Sequence, residues 1–121
     1  MPKVLIVDDT AFMRLSIKIM LEKGGFQIVG EAENGKEAVK KYIECKPDIV
    51  TMDITMPEMS GIDAMIAIKE YDKQAKVVIV SAMGQEHLVK NAIINGAASF
   101  IIKPFREDDI VQILNKVIAK A

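Results

Sequence analysis

Acidic, hydroxyl and amine side chains close one short apolar run after another in this chain. Asp8 and Asp9 follow Val4-Leu5-Ile6-Val7, and Asp53 follows Ile49-Val50-Thr51-Met52. Ser81 follows Val77-Val78-Ile79-Val80, and Lys103 follows Phe100-Ile101-Ile102. Apolar runs of this length bounded by polar residues read as buried strands. Open α/β sheets hold their ligands at the carboxyl ends of parallel strands. If these strands are parallel, Asp8, Asp9, Asp53, Ser81 and Lys103 meet on one edge of one sheet.

Such a meeting has definite chemistry. Two like charges about 4 Å apart repel by roughly 4 kcal/mol at an effective dielectric near 20. Grouped carboxylates therefore share a proton or hold a cation. An incomplete set of hard oxygen donors suits Mg2+, which keeps several waters and often bridges to a phosphate. A backbone carbonyl in the loop after Asp53 could add a further ligand. With no histidine or thiolate in the set, zinc is disfavoured. Aspartate can act as a nucleophile and carry a phosphoryl group as an acyl phosphate, a transfer that needs positioning and charge neutralisation more than acid–base work. In this scheme Asp53 attacks, Mg2+ on Asp9 and Asp53 holds one phosphoryl oxygen, Lys103 pairs with another and Ser81 hydrogen-bonds the third.

Each residue also has an ordinary reading. An Asp after a strand commonly makes a turn, and Asp8 or Asp9 could cap a helix beside Thr10. Ser81 alone is a loop hydroxyl and Lys103 a solvated lysine. The conjunction at the ends of four separate runs favours a site.

The elements that must position these groups follow in order. Lys3–Val7 reads as a strand buried on both faces, as parallel strands are. A helix over about 11–23 carries the apolar residues Phe12, Leu15, Ile19 and Met20, with Arg14, Lys18 and Glu22 elsewhere around it, and Gly24-Gly25 suits a left-handed C-terminal cap. Phe26–Ala32 alternates as an edge strand would. Asn34-Gly35 turns the chain into a helix over 36–45, with Ala38, Val39, Tyr42 and Ile43 on one face and Pro47 as its stop. After the Asp53 strand, Ser60 can cap a helix with Asp63 in the capping-box position, and Ile62, Met65 and Ile66 form its core stripe. A strand over 76–80, a helix over about 85–94, a strand over 99–102 and a helix opening at Glu107 complete the chain. Five strand–helix repeats with short connections predict an α/β (βα)5 fold, a doubly wound, five-stranded parallel sheet with helices on both faces. Neither a Gly-x-Gly-x-x-Gly turn nor a P-loop is present, so dinucleotide and P-loop readings fail.

Composition narrows the class further. At 121 residues, half of them hydrophobic, the chain reads as one domain, 1–121, with enough apolar residues for a core. Lys plus Arg is 16 against 17 Asp plus Glu, so no basic footprint points to nucleic acid or an anionic membrane. Cys45 is the sole cysteine and reads as an inert thiol, and His87 as a solvated helix residue. With no room for a signal peptide and no run near the roughly 20 apolar residues of a membrane helix, a cytoplasmic location without membrane insertion is the expectation.

Asp8-Asp9, Met52-Asp53-Ile54-Thr55-Met56-Pro57 with Gly61, Ser81-Ala82 and Lys103-Pro104-Phe105 together resemble the receiver domain of two-component response regulators. The set spans the chain and is highly specific. Asp8 through Arg14, Met52 through Ile62 and Ser81-Ala82-Met83-Gly84-Gln85 are most similar to single-domain chemotaxis regulators of the CheY type.

The resemblance implies a flavodoxin-like sheet of order 2-1-3-4-5, with Asp53 as phosphoacceptor. Asp9 is implied as a direct Mg2+ ligand, Asp8 as acting through water, and the Thr55 backbone carbonyl as a further ligand. Ser81 and Phe100 fall at the switch positions, and Lys103-Pro104 at a peptide bond usually found cis. The implied partners are a sensor histidine kinase and the flagellar motor switch protein. A phosphatase is left open. The expected protein is a monomer without an output domain, meeting the motor through the face of the fourth helix, fifth strand and fifth helix, which includes Lys90, Ala98, Phe100 and residues near Lys103. It is a switch rather than an enzyme, catalysing only its own Mg2+-dependent phosphorylation and autodephosphorylation. Phe100 stands where many chemotaxis members have tyrosine, so no ring hydroxyl is available to a partner, and Thr55 and Met83 occupy variable positions that tune dephosphorylation in the family.

Rival readings stay in view. A single-domain phosphorelay carrier would share every one of these residues and differ in partners. A haloacid-dehalogenase-like phosphatase needs a second Asp where this chain has Thr55, and a flavodoxin-like FMN binder needs a phosphate loop where Asp8-Asp9 would repel the phosphate.

Overall fold

Residues 1–120 are described in a computed structural model. Strands and helices alternate strictly: β1 (Lys3–Val7), α1 (Ala11–Lys23), β2 (Gln27–Ala32), α2 (Gly35–Cys45), β3 (Ile49–Asp53), α3 (Gly61–Tyr71), β4 (Val77–Ala82), α4 (Glu86–Ile94), β5 (Ser99–Lys103) and α5 (Glu107–Ala119). The strands form one sheet in the order β2-β1-β3-β4-β5, and every neighbouring pair is parallel. The expected doubly wound fold and strand order are both observed.

Alternation along each strand divides the core into two layers. Leu5, Val7, Val50, Met52, Val77 and Ile79 face α2, α3 and α4, where Tyr42, Met65, Ile68 and Ala92 meet them. Val4, Ile6, Ile49, Val78, Val80 and Ile101 face Ile17 and Leu21 of α1 and Ile110 and Leu114 of α5. Each fully buried aliphatic side chain contributes on the order of 1.5–3 kcal/mol, and β1 and β3 are buried along nearly their whole length. The middle of the sheet is thus a rigid platform for whatever its ends carry.

Several sequence expectations need correction. The apolar residues Phe12, Leu15 and Ile19 do not pack on the sheet: they are 77, 56 and 45% exposed, while Ile17 and Leu21 are buried and Met13 and Met20 half-buried. Helix α1 carries more apolar residues than one stripe can use, so periodicity alone does not say which stripe faces inward. Likewise Ile43 of α2 is 40% exposed, whereas Ala38 and Tyr42 of the same helix are buried. In α3 the expected stripe does pack inward, Ile62 and Met65 buried and Ile66 half-buried against the same layer, with Ala64 and Ile68 added to it. Strand β4 continues to Ala82, because Ser81 and Ala82 pair with Ile102 and Lys103 of β5, so Ser81 lies inside the strand rather than beyond it.

Helix ends follow their local chemistry. Thr10 Oγ1 accepts from Met13 N–H, Asn34 Oδ1 from Glu37 N–H and Ser60 Oγ from Asp63 N–H, each supplying an N-cap. Asn34 therefore opens a helix rather than only turning the chain. Gly25 adopts φ +92 just after α1, the left-handed residue its position called for.

Gly61 opens α3 against the end of β3, its N–H donating to the Ile54 carbonyl at 2.7 Å. A Cβ there would overlap the carbonyl oxygen of Asp53. That neighbour is backbone, so no rotamer change relieves it. Gly61→Ala is expected to lower the urea midpoint at an unchanged m-value, by about 1–3 kcal/mol of stability. An unaltered midpoint would show that the β3–α3 junction yields freely.

Candidate functional site

Strands β1 and β3 are neighbours, and the chain winds outward from them in opposite directions, so their carboxyl ends flank the switch point of the sheet. Asp8 and Asp9 leave the end of β1 and Asp53 is the last residue of β3. One carboxylate oxygen from each comes within 4.8 Å of the others. The predicted convergence of the three acids is therefore observed.

The two acids of the pair are used differently. Asp8 is buried, and its Oδ1 accepts from Thr10 N–H at 2.9 Å and Thr10 Oγ1 at 3.0 Å. Asp8 thus shapes the turn into α1 as well as facing the cluster, but the cap of α1 is Thr10 and neither acid caps that helix. Asp9 is exposed. Arg14 reaches back from α1 to donate to the Asp8 carbonyl at 2.7 Å while pairing with Glu31 at 3.2 Å, which holds the β1–α1 turn against β2.

Lys103, the last residue of β5, spans the cluster from the far edge. Its Nζ stands 3.3 Å from Asp8 Oδ2 and 3.7 Å from Asp53 Oδ1. The following peptide bond to Pro104 is cis. Burial, more than anything else, pushes the Asp53 carboxyl up to about 6 from 3.8; Asp8 and Asp9 add to the rise, while Lys103 and the Thr55 backbone amide oppose it. Opposition from the nearby ammonium does not cancel the combined cost of desolvation and two neighbouring acids.

Residues 4–115 match the response regulator receiver domain family. The chain is 57% identical over 115 residues to the chemotaxis protein CheY of Thermotoga maritima, covering 95% of this chain and 96% of that protein. It is 55% identical over 116 residues to CheY of Bacillus subtilis, covering 96% and 97%. The chain belongs to the response regulator receiver family. It is also similar to a chain of the crystal structure of the CheX–CheY–BeF3–Mg2+ complex from Borrelia burgdorferi, with a TM-score of 0.92 at 43% identity over 98% of this chain and 90% of that one.

Within this receiver fold the remaining sequence-derived residues fall as follows. Ser81 is buried, with its hydroxyl 2.9 Å from the Ala82 carbonyl. Thr55 is exposed at the rim two residues beyond Asp53. Phe100, on the edge strand β5, is 40% exposed and lines an apolar groove of about 390 Å3 with Lys90, Ile93, Ile94 and Ile102. Ala98 and His87 are exposed and Cys45 is half-buried.

Two residues near the site escape a sequence reading. Arg14 reads as a surface residue of α1 because its partners, the Asp8 carbonyl and Glu31, appear only once β2 is paired to β1. Gln85 reads as the start of a helix, yet its side chain bonds Ala82 N–H at 2.8 Å and Thr55 Oγ1 at 2.8 Å. The one available signal is an amide, rather than Ser, Asp or Asn, at a helix N-cap.

The raised Asp53 carboxyl has a consequence for stability. A folded state that binds a proton more tightly than the unfolded chain is favoured below the ordinary carboxyl range and loses that advantage as pH rises toward 6. In chelator-treated buffer, Asp53→Asn should match the parent near pH 4 and exceed it progressively up to pH 7. The two-unit rise is worth just under about 3 kcal/mol, and solvent at the open mouth reduces this to roughly 1–2 kcal/mol. Urea unfolding of both proteins across that range measures it, and a pH-independent difference would contradict the origin assigned to the shift.

Proposed function

We propose that this receiver accepts a phosphoryl group on Asp53 from a sensor histidine kinase and then carries the signal, as a monomer, to the flagellar motor switch. The observation that carries the reading is the fork of Lys103 between Asp8 and Asp53, at the mouth of a cluster of three acids. A carboxylate with an ammonium beside it and acids on its other side is equipped to receive a phosphoryl group rather than to bind a neutral ligand.

Asp8, Asp9, Asp53 and the Thr55 backbone carbonyl would hold Mg2+. The donors fit: they are oxygen only, their carboxylates converge, and burial together with the neighbouring acids raises the Asp53 carboxyl. Bound there, Mg2+ would supply positive charge against both the carboxylates and the incoming phosphoryl oxygens.

The chain's own residues then do the following. An Asp53 carboxylate oxygen attacks the phosphorus of the donor phosphohistidine, forming a P–O bond as the P–N bond breaks. The electron pair of that bond returns to the imidazole nitrogen. Lys103 exchanges its contact with Asp53 for one with a phosphoryl oxygen, conserving its pairing while neutralising the new charge. Ser81 turns its hydroxyl proton to another phosphoryl oxygen. Conformers in which Lys103 and Ser81 make these contacts gain population only in proportion to that differential contact. The groove formed by α4 and β5, with Lys90, Phe100 and the nearby Ala98, is the face that would read the change. The relatives named chemotaxis protein CheY support the chemotactic role, and the crystallised CheX–CheY complex supports a protein partner.

Intact mass after incubation with acetyl phosphate tests the acceptor chemistry. One phosphoryl addition is expected in Mg2+, none in excess chelator and none in Asp53→Asn. Lys103→Ala is expected to slow the addition on the order of a hundredfold, as loss of a preorganised charge-stabilising donor does. No addition to the parent protein under Mg2+ would refute the acceptor assignment.

The partner needs a separate measurement. The N-terminal segment of the motor switch protein should bind the phosphorylated receiver roughly tenfold or more tightly than the unphosphorylated one, a coupling of ordinary size. Equal affinities in titration calorimetry would remove the motor role and leave the acceptor chemistry standing.

A further inference from the structure

Gln85 is the N-cap residue of α4, but its side chain makes no cap bond. The amide turns back toward the sheet edge instead. Its Oε1 accepts from the Ala82 N–H at 2.8 Å and lies 3.3 Å from Ser81 Oγ, and its Nε2 donates to Thr55 Oγ1 at 2.8 Å. Because a backbone N–H can only donate, the orientation of the amide is fixed by chemistry, with oxygen toward Ala82 and nitrogen toward Thr55. One side chain at the N-cap of α4 thereby joins the end of β4 and the loop after β3.

Ser81 sits at the centre of this arrangement. Its hydroxyl has a single proton, and that proton faces acceptors inside the cluster, the Ala82 carbonyl at 2.9 Å and Gln85 Oε1 at 3.3 Å. The same proton cannot serve a phosphoryl oxygen on Asp53 until it leaves them. Resting contacts therefore compete directly with those that phosphorylation offers. The geometry points to Gln85 as a positioning residue that straps Ser81, Thr55 and the start of α4 in the resting arrangement and so restrains phosphoryl uptake. This rests on the reading of Asp53 as phosphoacceptor. Gln85 itself touches neither the acidic cluster nor the reacting oxygen. Its effect passes through the Ser81 hydroxyl.

Gln85→Met tests the strap, because methionine keeps the length and most of the volume while removing both the donor and the acceptor. The initial rate of phosphoryl addition from acetyl phosphate in Mg2+, read by intact mass, is expected to rise roughly three- to tenfold, the range for losing one or two neutral hydrogen bonds. In a Ser81→Ala background the same substitution should change the rate by less than about twofold, since coupled residues are not additive. Hydrogen exchange without any phosphoryl donor supplies an independent reading, in which the Ala82 amide should exchange faster in Gln85→Met than in the parent. A parent that is phosphorylated and a Gln85→Met variant no faster than it would overturn the strap and leave the acceptor chemistry intact. Equal acceleration with and without the Ser81 hydroxyl, or an unchanged Ala82 amide, would likewise overturn it. A parent that takes up no phosphoryl group would overturn the acceptor reading and the role of Gln85 together.

Discussion

Lys103 holds together an arrangement that electrostatics alone would drive apart. Asp8 is almost wholly buried and Asp53 nearly so, with the more exposed Asp9 beside them. Packing of the apolar sheet forces those acids together, because β1 and β3 must be neighbours for the two core layers to close. The lysine answers from β5, on the far side of β4, and only the parallel alignment of all the strands brings its ammonium to the same edge. Even so the balance is incomplete, and the Asp53 carboxyl stays well above its ordinary range. A site in that condition favours anything that adds positive charge or relieves the crowding. The same tension that costs the fold stability at neutral pH therefore equips the edge for its chemistry.

The rest of the molecule makes that tension affordable by separating it from the core. Two apolar layers close on the faces of the sheet, and the acidic cluster lies outside both, at the ends of the strands. Thr51, one turn of the pleat below Asp53, is the point where polarity reaches furthest in. Its hydroxyl is fully buried and finds no hydrogen-bond partner among the described residues. Gly61 lets the chain return closely over the Asp53 carbonyl, so β3 is clamped from above as well as from both sides.

Much of this was legible in the sequence for a simple reason. A buried parallel strand announces itself as an unbroken apolar run, and the residue that ends the run is the residue at the sheet edge. Asp8, Asp9, Asp53 and Lys103 could be placed together by that logic alone, and the family resemblance supplied the strand order that logic could not. Helix faces were less legible. In α1 the apolar residues Phe12, Leu15 and Ile19 compete with Met13, Ile17, Met20 and Leu21, and only the placement of α1 against the sheet and α5 decides which set is covered. Gln85 was invisible for a related reason. Its contact with Thr55 joins residues 30 positions apart, and nothing in the local pattern of either loop requires it.

A switch must also be soft somewhere, and the structure is softest away from the acids' own strands. Strands β1 and β3 are buried at almost every position, whereas β5 has only Ile101 fully covered. Helix α4 is the shortest of the helices, lacks a side-chain N-cap bond and buries only Val89 and Ala92. Elements with few buried apolar residues and uncapped ends open at lower free energy than the core around them. A small change in contact at Asp53 can therefore leave β1 and β3 unmoved while shifting α4 and β5, which carry the groove around Phe100. Phe100 has no hydroxyl, so what it offers at this groove is exposed apolar area.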